Sequence, residues 1–82
     1  MPSTARRDRG VYLARYATAA ASAREPDRAV EIARAAVEIA METRSARMLR
    51  ELGTLERAMR PWHDSPVGRG LAGVLAPVNE GS

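Results

Sequence analysis

His63 stands directly before Asp64, and a histidine beside a carboxylate is the pairing that general acid–base catalysis uses. It is the only histidine in the chain. Adjacent residues seldom aim at one atom, and no nucleophile is recognisable nearby. The pair therefore reads as helix-capping or solvent-exposed rather than catalytic or metal-binding. The chain has no cysteine, which excludes disulfides and thiolate metal sites. Gly68, Gly70 and Gly73 form no phosphate loop, because no lysine follows them and no strand precedes them. The sequence thus offers no catalytic, cofactor or metal residues, and the chain is expected not to be an enzyme.

The arginines are the other chemical resource. Arg44, Arg47, Arg50, Arg57 and Arg60 fall close together, and Arg47, Arg50 and Arg57 share one arc of a helix. Glu42 and Glu51 break up this basic face. A solvated face is the favoured reading, ahead of an acidic partner, with nucleic acid last. The aromatic interleaving of single-strand binders is absent. All 13 basic residues are arginine, against 10 acidic residues, for a net charge of +3. No strong single-sign field is expected. The three aromatics are Tyr12, Tyr16 and Trp62. Trp62 is a plug between the third and fourth helices or, as the second choice, a partner anchor. Tyr12 and Tyr16 are placed toward the inner side of the first helix, with a core role for Tyr16.

These residues must be positioned by helices. The fold class is all-α, because no segment alternates with a period of two. The first helix is expected from about Asp8 to Ala23, with Asp8 as N-cap. The second starts at Pro26, where proline suits the first turn, and runs to about Thr43. The third runs from about Ser45 to Arg60 and is stopped by Pro61. A short fourth spans about Pro66 to Leu75, capped by Ser65 or Asp64. Its glycines each cost up to ~1 kcal/mol relative to alanine. Residues 1–7 are expected to be a flexible N-terminus, 8–76 a single helical domain and 77–82 a flexible tail.

The stretch REPDRAVEIARAAVEIAMET sets the packing. At about 100° per residue, Ala29, Ala33, Ala36 and Ala40 make one narrow seam of small side chains. Ile32 and Ile39 flank it on one side, and Val30, Val37 and Met41 on the other. The seam lets another helix approach closely. The first helix offers a matching seam at Leu13, Tyr16, Ala17 and Ala20. The short link AREPD makes these two helices an antiparallel hairpin. The third helix carries Met48, Leu49, Leu52, Leu55 and Met59 on one face and arginines on its back. This is the form of a helix that caps a stack.

An 82-residue, alanine-rich chain is marginal alone. One flank of the second helix can be covered by the third helix. The other needs the weak fourth helix or a different chain. A homodimer is therefore expected, with Val30, Val37, Met41 and Trp62 as candidate partner-binding residues. The lack of cysteine fits a cytoplasmic location. No run of about 18 apolar residues exists to span a membrane. The Arg-rich, nearly acid-free start has the look of a transit peptide but is in register as a helix.

The segment LARYATAAASAREPDRAVEIARAAVEI resembles a tetratricopeptide repeat, a helix–turn–helix unit of about 34 residues with small residues at set places. Ala17 matches the small position of the first helix, and Ala29, Ala33 and Ala36 those of the second. Leu13 and Tyr16 take the large apolar positions before Ala17. The sequence departs from the pattern at Ala20, where tyrosine is common, at Arg24, where a turn glycine is common, and near Ala40, where a proline is usual. The likeness covers roughly residues 10–43. The phrases SARMLREL and PWHDSPV are similar to the C-terminal end of tetratricopeptide-containing helix-turn-helix regulators of high-GC actinobacteria. The arginine and alanine bias also looks like a GC-rich genome. The resemblance implies the sensory or oligomerising end of a transcription regulator, with no DNA-binding half in this chain. A small free-standing DNA-binding or accessory regulator is the alternative. The resemblance also makes Tyr12, Arg15 and Ala19 candidate residues of a groove that takes a protein or peptide.

Overall fold

The computed structural model describes residues 3–80. Four helices carry nearly all of them: α1 (Ser3–Ser22), α2 (Pro26–Thr43), α3 (Ala46–Ala58) and α4 (Pro66–Glu80), with a 3-10 turn at Arg60–Trp62. No strand occurs among the described residues, so the fold is all-α.

α1 and α2 are an antiparallel hairpin. Arg6 near the start of α1 pairs with Glu42 near the end of α2, and Tyr16 meets Arg28 at the opposite end. Ala14, Ala17, Ala29, Ala33 and Ala36 are fully buried, and Ala21 and Ala40 nearly so. Short side chains along both helices let the axes approach, as the alanine spacing requires. Ala33→Leu places three extra carbons in this contact. It is expected to cost ~1–3 kcal/mol. Melting within a degree of the parent would show that the seam is not a close contact.

The turn between them is a Schellman cap. The Glu25 amide donates to the Ala20 carbonyl (2.9 Å) and the Arg24 amide to that of Ala21 (3.1 Å). Arg24 takes φ 64°, the left-handed conformation that glycine adopts at least cost. Arg44 ends α2 in the same conformation, with φ 51° and its amide on the Ala40 carbonyl (2.8 Å).

α3 packs chiefly on α1, and α4 on α2. Ser45 starts α3, its hydroxyl accepting from the Met48 amide at 3.3 Å. Gly10 lies against Met48 and Arg15 against Glu51, so α3 runs parallel to α1. α4 returns antiparallel to α3, with Leu75 and Val78 beside Leu49 and Leu52. α3 and α4 are thus laid on α1 and α2 respectively, with little direct packing between the two. Met48, Leu55 and Met59 are the largest fully buried side chains, joined by Leu52, Leu71, Leu75 and Val78.

Several boundaries differ from the sequence expectation. α1 begins at Ser3 rather than Asp8, so Asp8 lies inside the helix and caps nothing. Of the expected flexible segment 1–7, residues 3–7 are helical; residues 1–2 lie outside the described residues. The Arg6–Glu42 pair ties this extra turn to α2. α4 is not short. It runs through Pro77 to Glu80, so the expected tail 77–82 is helical through residue 80, and residues 81–82 lie outside the described ones. Leu71, Leu75 and Val78 continue one apolar seam, and their burial outweighs the proline and glycine penalties. Ser65 does not cap α4 with its side chain; its hydroxyl donates to the Trp62 carbonyl at 2.6 Å.

Candidate interaction surface

No side-chain nitrogen or oxygen buried among the described residues lacks a hydrogen-bond partner.

His63 and Asp64 do meet, Nε2 to Oδ1 at 3.2 Å, with His63 Nδ1 2.9 Å from the Arg60 carbonyl oxygen. The side chains are 69% and 91% exposed, so water screens the pair. No group of three or more histidine or carboxylate side chains converges among the described residues.

Tyr16 is not a core residue. It is 37% exposed, and Tyr12 is 65% exposed. Of the expected seam, Ala17 and Ala20 are buried and Leu13 is packed against the core, and Val11, Ala14 and Ala21 complete the inner face of α1. The Tyr16 hydroxyl accepts from Arg28, whose guanidinium lies 5.5 Å from the ring centroid. The Tyr12 ring leans on Tyr16 with centroids 6.1 Å apart. An aromatic–cation ladder thus runs along the outside of the hairpin, with Ala19 exposed on the same helix. Arg15 is exposed and reaches Glu51 of α3 at 3.5 Å. On the second helix, hydrogen bonds from Arg6 hold the Glu42 carboxyl below its usual range.

Val30 and Val37 are each only 7% exposed, so they are not available to a partner. Ile39 is taken up where α1 meets α3, beside Gly10 and Met48. α4 packs on α2. Met41 stays 39% exposed. Trp62 is half-buried against the core, beside Ala21, Ala58 and Pro61. Arg47, Arg50 and Arg57 are exposed on α3 as expected. Glu51 does not neutralise them, since it turns to Arg15. Arg57 donates to the Thr54 hydroxyl at 3.3 Å.

No protein-family model matches this chain, and no curated protein and no solved structure matches it.

A further surface escaped the sequence reading. Leu49, Leu52 and Gly53 of α3 face Leu75 and Val78 of α4 across a groove of ≈ 130 Å³, rimmed by Glu56 and Asn79. Leu49 is 39% exposed at its edge. Beyond Gly53 and Glu56 the groove opens into a concavity lined by Arg57, Arg60 and His63. Leu49 stands at the margin of the apolar arc of α3, some 100° from Met48 on the wheel. That marginal position was the available signal. It carried no weight without α4 recognised as a full-length wall.

Proposed function

We propose that this chain is a non-catalytic helical interaction module, serving as the sensory or self-associating end of a bacterial transcription regulator. The observation that carries the reading is the distribution of large apolar side chains. The core is closed and its polar groups are satisfied, yet Tyr12, Met41 and Leu49 stand outside it on three different helices. Tyrosine and methionine are among the side chains enriched in protein contacts. The α1–α2 hairpin with two further helices laid on it and the likeness of residues 10–43 to a tetratricopeptide repeat point the same way. No helix among the described residues is long and apolar enough to cross a membrane.

Self-association through Val30 and Val37 loses its basis, since both are buried. Any homodimer would use Met41, the tyrosine ladder or the α3–α4 groove instead. The alternative, a small DNA-binding regulator, draws on the exposed and unneutralised Arg47, Arg50 and Arg57. Titration with duplex DNA at physiological salt separates the two. The interaction module is expected to bind weakly, without sequence preference, and with affinity falling steeply as salt rises. Sub-micromolar, sequence-selective binding would replace it with the DNA-binding reading. Sedimentation equilibrium from micromolar to millimolar concentration tests self-association in the same samples.

A further inference from the structure

Gly53 is the entry point. A helical glycine costs about 1 kcal/mol relative to alanine and usually allows a close approach. At Gly10 and Gly68 the approach is internal. A Cβ on Gly10 would fall 2.6 Å from Met48 Cε, and one on Gly68 2.7 Å from the Trp62 carbonyl carbon. At Gly53 nothing lies within 4 Å of the Cβ position, and the residue lines the α3–α4 groove. The bare backbone of α3 therefore faces open space, between the apolar end of the groove and its cationic end.

We propose that this groove docks one helix of a partner protein, apolar on one face and acidic along its flank. The proposal rests on the interaction-module reading above and assigns it a site and a partner chemistry. From Leu49 to Arg60 the α3 wall is roughly 16 Å long, about three turns of a docked helix. Apolar residues spaced i, i+3 or i+4, and i+7 meet Leu49, Leu52, Leu75 and Val78. The partner backbone passes closest at Gly53. One turn further on, its carboxylates reach Arg57 and Arg60.

Charge selects this occupant. The α4 wall has no charged residue from position 70 to 79. Among the lining side chains Glu56 is the one carboxylate, against Arg57 and Arg60. Neither arginine forms an ion pair with a described carboxylate. Docked groove to groove, a second copy would bring another uncharged α4 and another α3 bearing the same arginines, and so little to neutralise them. An acidic helix supplies what the groove lacks, in the arginine-to-carboxylate geometry that also fixes register.

Two synthetic amphipathic helices of about five turns, sharing one leucine seam and differing only in glutamate or lysine flanks, are the probes. Each is titrated into the isotope-labelled chain and followed by amide chemical shifts. The glutamate helix is expected to bind in the micromolar range, perturbing Leu49, Gly53, Arg57 and Leu75. The lysine helix should bind at least about tenfold more weakly. Arg57→Glu with Arg60→Glu should reverse that order. Gly53→Leu should abolish binding, with Gly53→Ala as the folded control. Equal binding of both helices, or no binding of the glutamate helix at millimolar concentration, overturns the proposal. So do groove shifts that appear with protein concentration alone, which would mean a second copy, or with duplex DNA alone. Shifts confined to Tyr12, Arg15 and Ala19 would also overturn the groove while leaving the interaction-module reading standing.

Discussion

Gly68→Ala is expected to lose roughly 3 kcal/mol of stability, the upper end of overpacking costs. In a domain of this size that corresponds to a fall of about 12–24 °C in melting temperature. The added methyl would land on the Trp62 carbonyl oxygen, within 2.8 Å of the His63 Cα as well. Those atoms are backbone, held by the Ser65 amide and hydroxyl on the same carbonyl at 2.9 and 2.6 Å, so they cannot step aside as a flexible side chain would. Either the 3-10 turn or the start of α4 must move, and Leu71 and Leu75 move with it. Gly70→Ala is the contrasting case. A Cβ there meets nothing within 4 Å, so helix propensity alone acts, and a gain of up to about 1 kcal/mol is expected. Calorimetry on the two variants checks both signs. An unchanged melting point for Gly68→Ala would mean that α4 does not sit against the turn.

Met48→Ala should cost ~2–5 kcal/mol, as for other fully buried large side chains truncated to alanine. Met48 is 0% exposed and lies in the notch left by Gly10, with Ile39 on the other side. The pair makes a sharper prediction than either residue. In the parent chain Gly10→Ala overpacks the notch and costs ~1–3 kcal/mol. In the Met48→Ala background the thioether is gone, and the same change should be close to neutral. Ile39 Cγ2, 2.7 Å from the added Cβ, keeps it from becoming a full helix-propensity gain. Urea denaturation of the four proteins gives the coupling directly. Additive costs would show that Gly10 and Met48 do not share this space.

The all-α class and the central hairpin were legible because periodicity and turn chemistry agreed. Ala29, Ala33, Ala36 and Ala40 fall on one stripe, and all four are buried. Pro26 and Ser45 sit at helix starts for local reasons of backbone geometry and capping. Such features depend on residues within a turn or two of one another, which is the range over which a sequence can be read unaided.

What the chain could not disclose depended on partners distant in sequence. Tyr16 was misplaced because a wheel gives a face but not which neighbour takes it. Ala14 and Ala21 are buried beside Ala17 and Ala20, while Tyr16 lies outside against Arg28. From the sequence α4 reads as short because of Gly68, Gly70 and Gly73, all local penalties. Burial of Leu75 and Val78 against the rest of the fold outweighs them, and only the tertiary structure supplies that term. Val30 and Val37, which the width of the apolar arc of α2 had offered to a partner, are buried within the fold. The long α4 also creates the groove with Leu49 and Gly53, since a cleft between two helices exists only once both walls are placed. Residue types and their local spacing determined the helices, their caps and the alanine contact. Which faces remained open was decided by packing, because burial is a property of the assembled neighbours and not of any one segment.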